Sequence, residues 1–262
     1  MSLQNRVDPW GDLHAVSDRG LFTGNRGCLV DDNGHLKRHH SGSLWITCRT
    51  EFRGWDHPLA APRVWTPLFF LDDAVALAAG HRPCGLCRRE DYLAYRSAVT
   101  TSTSSDHMVM ATDLNRLLGE ERLRRGPGLM RATDRILWTS ELDKLPVGTV
   151  VVDPAAGVAQ LLTENHLQGF TFGGWGQAIP RPHGVTVEVL TPPTSVGALS
   201  CGFVPQLHPT AIESEGLRRR QLSAGKSSTA KRLLCVATPR QPSGLVARLA
   251  HLSVARGAPG GS

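Results

Sequence analysis

The chain lacks the long hydrophobic segment that a membrane-spanning helix requires. None of its 262 residues lies in a run approaching the roughly 18 consecutive apolar residues that cross a bilayer. The opening string MSLQNRVDPWGD also lacks the basic start and apolar stretch of a secretory signal. We therefore expect a cytoplasmic protein with no membrane partner.

Acidic residues are missing from the C-terminal part of the sequence. Residues 216–262 contain nine Lys or Arg and no Asp or Glu. The remaining 215 residues have 20 basic and 23 acidic side chains, a net charge of −3, so the +6 of the whole chain belongs to this segment. Because the segment is rich in Ser, Ala, Gly and Pro, we predict a flexible basic tail.

A disulfide framework is not expected either, because the cytosol keeps thiols reduced. The six cysteines are Cys28, Cys48, Cys84, Cys87, Cys201 and Cys235. Cys84 and Cys87 form a Cys-x2-Cys pair behind an Arg-Pro dipeptide, and this spacing gives two thiolates the close approach that tetrahedral zinc needs. The pair predicts a metal site.

Local patterns predict the elements around this pair. Asn33-Gly34 lies between flanks that can pair, which indicates a β-hairpin. LWITCRTEF alternates apolar and polar positions, as a half-buried strand does, with Cys48 on its inner face. DDAVALAAG predicts a helix with acidic residues at its start and Gly80 at its end, and REDYLAYRSAV predicts a second helix.

The second half of the chain has a different residue pattern. After a Ser/Thr-rich loop, SAVTTSTSSDHM, the string MATDLNRLLGEERLRR predicts an amphipathic helix. Short Val- and Thr-rich runs punctuated by Gly and Pro then predict a small, mainly antiparallel β region from about 145 to 210. We expect an α+β protein with a zinc-binding module at 1–100, an α+β domain at 106–215 and the tail at 216–262.

The string LFFLDDAVALAAGHRPCGLCRR, about residues 68–89, resembles the second half of the Ada-type metal-binding domain, named for a bacterial regulator that repairs alkylated DNA. The matching positions are Phe69, Phe70, Ala74, Ala79, Gly80, Arg82, Pro83, Cys84 and Cys87. The resemblance implies a zinc finger of treble-clef character. It also implies DNA binding and a role in DNA repair or cleavage, because the module occurs attached to nucleases.

The expected zinc ligands are Cys48, Cys84 and Cys87 with a fourth ligand from the N-terminal region. Cys28 is one candidate, and the alternatives are histidines: His39, His40, His57 or His81. In the Ada family the first two cysteines are a few residues apart, whereas 19 residues separate Cys28 from Cys48. The family's methyl-accepting chemistry is therefore not carried over, and we expect a structural zinc ion.

A zinc deaminase is not expected, because half of its motif is missing beside the Cys84–Cys87 pair. Zinc deaminases combine Pro-Cys-x2-Cys with a His-x-Glu motif that supplies the general acid and base. No histidine of this chain has a glutamate two residues later.

Two sets of residues are candidates for function. Cations that hold phosphates and a ring that stacks on bases predict nucleic-acid contacts. The candidates are Arg82, Arg88, Arg89 and Trp45, although tryptophans could equally supply core. Asp113 and Glu120 share a helix face and could bind a catalytic metal, although a charged outer face is also ordinary for such a helix. In the alternative function, a small-molecule enzyme, they would line a pocket between the two halves while zinc is structural.

Overall fold

The computed structural model describes residues 3–54, 58–59, 61–123, 134–153 and 155–211. The strands in these residues are β1 (Arg6–Val7), β2 (Leu13–His14), β3 (Phe22–Asn25), β4 (Ile46–Arg49), β5 (Leu68–Phe70), β6 (Arg82–Pro83), β7 (Trp138–Glu141), β8 (Val150–Val152), β9 (Ala159–Leu162), β10 (His166–Thr171), β11 (Gly174–Pro180) and β12 (Thr186–Val189). The helices are α1 (Asp73–Ala78), α2 (Arg89–Ser102), α3 (Ala111–Arg122) and α4 (Pro193–Ser200). The α+β class is confirmed, and the predicted tail lies outside the described residues.

The strands form two six-stranded sheets. The first has the order β2-β1-β5-β3-β4-β6 and the second the order β11-β10-β9-β8-β12-β7. The first sheet is mixed, since β1 is parallel to β5 and β4 is parallel to β6. In the second sheet every pairing is antiparallel, as the sequence predicted for this region.

Capping chemistry explains where α1 begins and ends. The Asp72 side chain accepts a hydrogen bond from the Val75 amide at 3.0 Å, which satisfies a free N–H of the first turn. Gly80 follows the last turn at a φ of +82°, a conformation that glycine adopts without strain. The predicted helix is confirmed at both ends.

Two helical segments differ from the sequence prediction. The Ser/Thr-rich segment expected to be a loop continues α2 to Ser102. Its hydroxyls bond to backbone carbonyls of the preceding turn, as that of Thr100 does to Arg96 O at 2.9 Å. The string TPPTS, expected in the β region, begins α4 instead. Pro193 occupies its first turn, where a missing N–H costs nothing.

The two halves of the chain share one hydrophobic core. Phe70 and Ala74 from the N-terminal half are buried in the same cluster as Val150, Leu161 and Trp175 from the C-terminal half. The expected boundary near residue 100 therefore does not separate two independent cores. No helix in the described part of the chain has the length and apolarity to cross a membrane.

Candidate metal centre

Three cysteine sulfurs lie together at the edge of the first sheet. The ligand atoms of Cys48, Cys84 and Cys87 are all within 4.8 Å of one another. The register of β4 and β6 brings them together, because the pairing of Thr47 with Pro83 places the next residues, Cys48 and Cys84, side by side. The Cys84 amide donates to Thr47 O at 2.9 Å, which fixes this alignment.

The backbone of the Cys84–Cys87 segment, which we call the knuckle, favours thiolate. The Leu86 amide donates to the Cys84 sulfur at 3.4 Å. Hydrogen bonds from the Cys48 and Cys87 thiols, together with the nearby amides, lower the pKa of Cys84 to about 2. Hydrogen bonding to Cys84 and Cys87 raises the pKa of Cys48, since a second negative sulfur is opposed by the first. Three such sulfurs could bind a metal ion, which would replace their shared protons.

Arg88 fixes the knuckle to the rest of the fold. It follows Cys87 directly, and its side chain is 2 % exposed. Its guanidinium donates to both carboxylate oxygens of Asp73, at 2.6 and 2.8 Å, and to the Thr47 hydroxyl at 3.0 Å. Since Thr47 precedes Cys48, this one side chain joins both cysteine-bearing segments to the start of α1.

In the described part of the chain, no fourth His, Cys, Asp or Glu belongs to the group formed by these three sulfurs. Cys28 lies elsewhere, and its thiol donates to Val30 O at 3.6 Å, beside a turn in which Val30 pairs with Leu36. His39 and His81 are buried against Arg26 instead.

His40 is in ring contact with Trp45, at 5.3 Å between centroids, and does not join the sulfur group. His57 lies outside the described residues. The sulfur group could therefore supply three ligands to a metal ion, and the described geometry does not bring Cys28 to it as a fourth.

Three of the four residues predicted to contact nucleic acid are inside the protein. Trp45, Arg82 and Arg88 are 1 %, 5 % and 2 % exposed. Arg82 donates to Asn115 Oδ1 at 3.0 Å, and Arg88 is held by its carboxylate partners, so neither guanidinium is presented to a phosphate. Only Arg89 of this set is exposed. The other three side chains are buried, so they are not available to contact a phosphate or a base.

The two acidic candidates lie on the outer face of α3. Asp113 and Glu120 are both exposed, and Glu120 accepts from Arg116 one turn earlier at 3.3 Å. This is the ordinary ion pairing of an amphipathic helix. The carboxylate of α3 with an inward role is that of Glu121. It accepts from the Thr194 amide and hydroxyl at 2.9 and 2.8 Å at the start of α4.

The sequence did not predict that Asp72 and Asp73, at the start of α1, hydrogen-bond to the C-terminal half of the chain. Asp72 accepts from Trp175 Nε1 at 2.6 Å and from the His208 amide at 3.0 Å. Asp73, besides its pair with Arg88, accepts from the Gln206 amide at 2.9 Å. Two adjacent acids before an apolar helix indicated a cap, but no local signal indicated these distant partners.

Comparison of the chain with known protein families, with curated protein sequences and with solved structures finds no match.

Proposed function

We propose that this chain is a zinc-binding protein in which Cys48, Cys84 and Cys87 hold the metal. The observation that carries the proposal is the group of three sulfurs within 4.8 Å of one another. Sulfur is a soft donor, and a site dominated by thiolates suits zinc rather than magnesium or calcium, which take oxygen ligands. Zinc would keep all three thiolates deprotonated and supply no redox chemistry of its own.

The role that the fold supports for this zinc ion is structural. β6 has two residues and pairs at the edge of its sheet with β4, which has four. Strands this short contribute few ladder hydrogen bonds, so the knuckle needs another constraint. Metal binding supplies one, since its free energy adds to that of folding.

Metal analysis of purified variants tests the proposal. Wild-type protein should contain about one zinc per chain, and Cys48→Ser, Cys84→Ser or Cys87→Ser should each lower the zinc content and affinity sharply. Cys201→Ser and Cys28→Ser are matched controls, because neither thiol belongs to the sulfur group. Wild-type protein that takes up no zinc when refolded with it would contradict the proposal.

A second proposed activity is contact with nucleic acid next to the zinc site. Arg49 follows Cys48, and Arg89 lies two residues after Cys87; both side chains are exposed, in contrast to Arg82 and Arg88. Two exposed cations beside the knuckle are suited to phosphate contacts. This support comes from exposure and from the Ada-type resemblance, which stays a prediction.

Fluorescence anisotropy with a mixed-sequence oligonucleotide at low salt tests this activity. The double variant Arg49→Ala/Arg89→Ala should bind more weakly at every sequence and lower the slope of log K against log salt by about two, one for each lost phosphate contact. Arg116→Ala, on the distant outer face of α3, is the control. Absence of binding by zinc-loaded wild-type protein at low salt would rule the activity out without affecting the zinc proposal.

A further inference from the structure

Three arginines are buried together beneath the loop of residues 41–44. Arg26 follows β3, Arg122 ends α3 and Arg135 precedes β7, and they are 0 %, 3 % and 2 % exposed. The Trp45 ring packs against two of them, with its centroid 4.2 Å from the guanidinium carbon of Arg26 and 3.8 Å from that of Arg122. We refer to the three arginines with Trp45, His39 and His81 as the buried cationic cluster.

The hydrogen bonds of these guanidiniums go to neutral acceptors. Arg122 donates to Gly80 O at 3.1 Å and to Ser43 O at 2.9 Å. Arg135 donates to Arg122 O at 2.7 Å. Its further acceptors are the carbonyl oxygens of Ala78 and Leu190.

Arg26 donates to Gly11 O at 2.8 Å. None of the ion pairs formed by the described residues includes any of these three guanidiniums. Within the described ranges, the cluster therefore buries three arginines with no carboxylate in direct contact.

The neighbouring histidines add a donor rather than a counter-charge. Arg26 Nε donates to His81 Nε2 at 3.2 Å, so that ring nitrogen carries a lone pair. Burial and the adjacent Arg26 charge lower the pKa of His81 well below its usual range, and they lower that of His39 to about 2. A neutral His81 that accepts at Nε2 must carry its proton on Nδ1, which makes Nδ1 a donor.

Three buried donor atoms of the cluster have no hydrogen-bond partner among the residues that the structure describes. They are Arg26 Nη2, Arg135 Nε and His81 Nδ1. A buried donor without a partner is costly, and a buried charge without a counter-ion costs more. Burial accordingly lowers the pKa of Arg122 to about 9 and that of Arg135 to about 10.

Acidic side chains offset this charge only from a distance. Asp8 and Asp12 favour the charged form of Arg26, but burial and repulsion from Arg122 and Arg135 outweigh them and lower its pKa. Asp8 also favours the charged form of Arg135, but burial outweighs it and lowers that pKa. The Asp8 carboxylate accepts from His14 Nε2 at 2.8 Å and from the Gly11 and Asp12 amides at 2.8 and 2.9 Å. Its oxygens are therefore occupied outside the cluster.

We propose that the buried cationic cluster is a binding site for a small oxyanion of the phosphate or sulfate class. Such an ion has several acceptor oxygens and at least one negative charge. The oxygens match the unpartnered donors of the cluster, and the negative charge matches its buried arginines. The free Nη2 of Arg26 would donate to it. Arg122 and Arg135 would stabilise it electrostatically.

The burial of the cluster argues for a small free ion rather than a phosphate of a nucleic-acid backbone, which could not reach side chains so deeply buried. The cover is the loop of residues 41–44, whose four residues are all exposed. Two bonds hold it over the cluster: Trp45 Nε1 donates to Gly42 O at 3.1 Å, and Arg122 donates to Ser43 O. Opening of this loop gives an ion a route to Arg122 and then to Arg26.

Thermal unfolding of the zinc-loaded protein in sulfate, in inorganic phosphate and in chloride at equal ionic strength tests the proposal. An oxyanion that binds only the folded state should raise the melting temperature saturably, by roughly 5 °C or more at a hundred times its dissociation constant. Zinc content is measured in each buffer, so that loss of metal to phosphate is not mistaken for the absence of binding.

Arg122→Gln removes one charge of the cluster but keeps a donor, and Arg116→Gln is the matched control on the exposed face of the same helix. We expect the oxyanion-dependent shift to fall at least by half in the first variant and to persist in the second. A shift that is equal in wild type and Arg122→Gln would place the binding elsewhere and overturn the assignment.

If Arg122→Gln does not fold, bound anion is measured directly in the wild-type protein. Wild-type protein is purified without phosphate or sulfate, exposed to sulfate, and separated from unbound ion by gel filtration. It is then denatured, and the anions released are quantified by ion chromatography. About one sulfate per chain is expected. No retained anion together with equal melting temperatures in sulfate, phosphate and chloride would overturn the proposal.

Discussion

Arg88 and Asp73 form a buried ion pair in which both carboxylate oxygens accept, at 2.6 and 2.8 Å. Each side chain is 2 % exposed, so the pair exists outside the reach of solvent screening. It connects the residue after the knuckle to the first turn of α1. The pair thus couples the proposed zinc site to the core that the two halves of the chain share.

Arg88→Ala should destabilise the protein strongly. It leaves the Asp73 carboxylate buried without its partner, and breaking such a pair from one side costs about 3–5 kcal/mol. Denaturant unfolding measures the change in the free energy of unfolding. Zinc affinity, measured by chelator competition, should also fall because the knuckle loses its anchor. Arg89→Ala, the exposed neighbour, should change both quantities little, and equal effects of the two variants would show that the pair has no structural role.

Zinc binding should release protons from the sulfur group. Without metal, the lowered pKa of Cys84 makes its sulfur a thiolate at pH 7, whereas the raised pKa values of Cys48 and Cys87 keep theirs protonated. Zinc takes all three as thiolates, so about two protons leave. Calorimetry in buffers of different ionisation enthalpy counts them. Apparent affinity should rise about a hundredfold per pH unit near neutrality, and a pH-independent affinity would contradict this account.

Asp72 should make the protein less stable as pH rises from about 4 to 6. Burial raises its pKa to about 6, against about 3.9 in an unfolded chain, so the folded state favours the protonated form. The resulting stabilisation is complete below pH 3.9, is lost as pH rises through 6, and amounts to about 3 kcal/mol. Urea unfolding across this range should show the slope in wild type.

Asp72→Asn supplies the control for that slope. The amide cannot ionise, and its oxygen can still cap α1 by accepting from the Val75 amide, as Asp72 Oδ1 does. The difference in unfolding free energy between wild type and variant should therefore change with pH between 4 and 6. A constant difference would mean that Asp72 does not titrate there.

The sequence predicted features that depend on neighbouring residues and failed on those that depend on distant ones. The Asp72 cap, the glycine stop of α1 and the turn at Gly34 all follow from local backbone chemistry. The Cys-x2-Cys pair and Cys48 were also expected together, and their ligand atoms do lie within 4.8 Å of one another. The alternation used to place Cys48 on an inner face was wrong, because Trp45 and Thr47 are the buried residues of this segment and Leu44 is exposed.

Buried arginines could not be recognised in the same way. An arginine is expected at the surface unless it has partners, and the two buried partners of Arg88 lie 15 and 41 residues away, at Asp73 and Thr47. Arg82 likewise meets Asn115, which is 33 residues away. No short pattern encodes such contacts, so side chains predicted for a nucleic-acid surface proved to belong to the interior.

Gly80→Ala should destabilise the protein by about 2 kcal/mol, because two costs add. A φ of +82° disfavours a residue with a Cβ, typically by about 1 kcal/mol. The added Cβ would also lie 2.7 Å from Arg122 Cδ, and Arg122 is held by its bonds to Gly80 O and Ser43 O. Gly119→Ala in the interior of α3 is the matched control: its nearest neighbour would be 3.8 Å away, so helix propensity should make it neutral or stabilising by up to about 1 kcal/mol. If thermal and urea unfolding showed the two alanine variants to be equally stable, the close packing of Arg122 against α1 would be refuted.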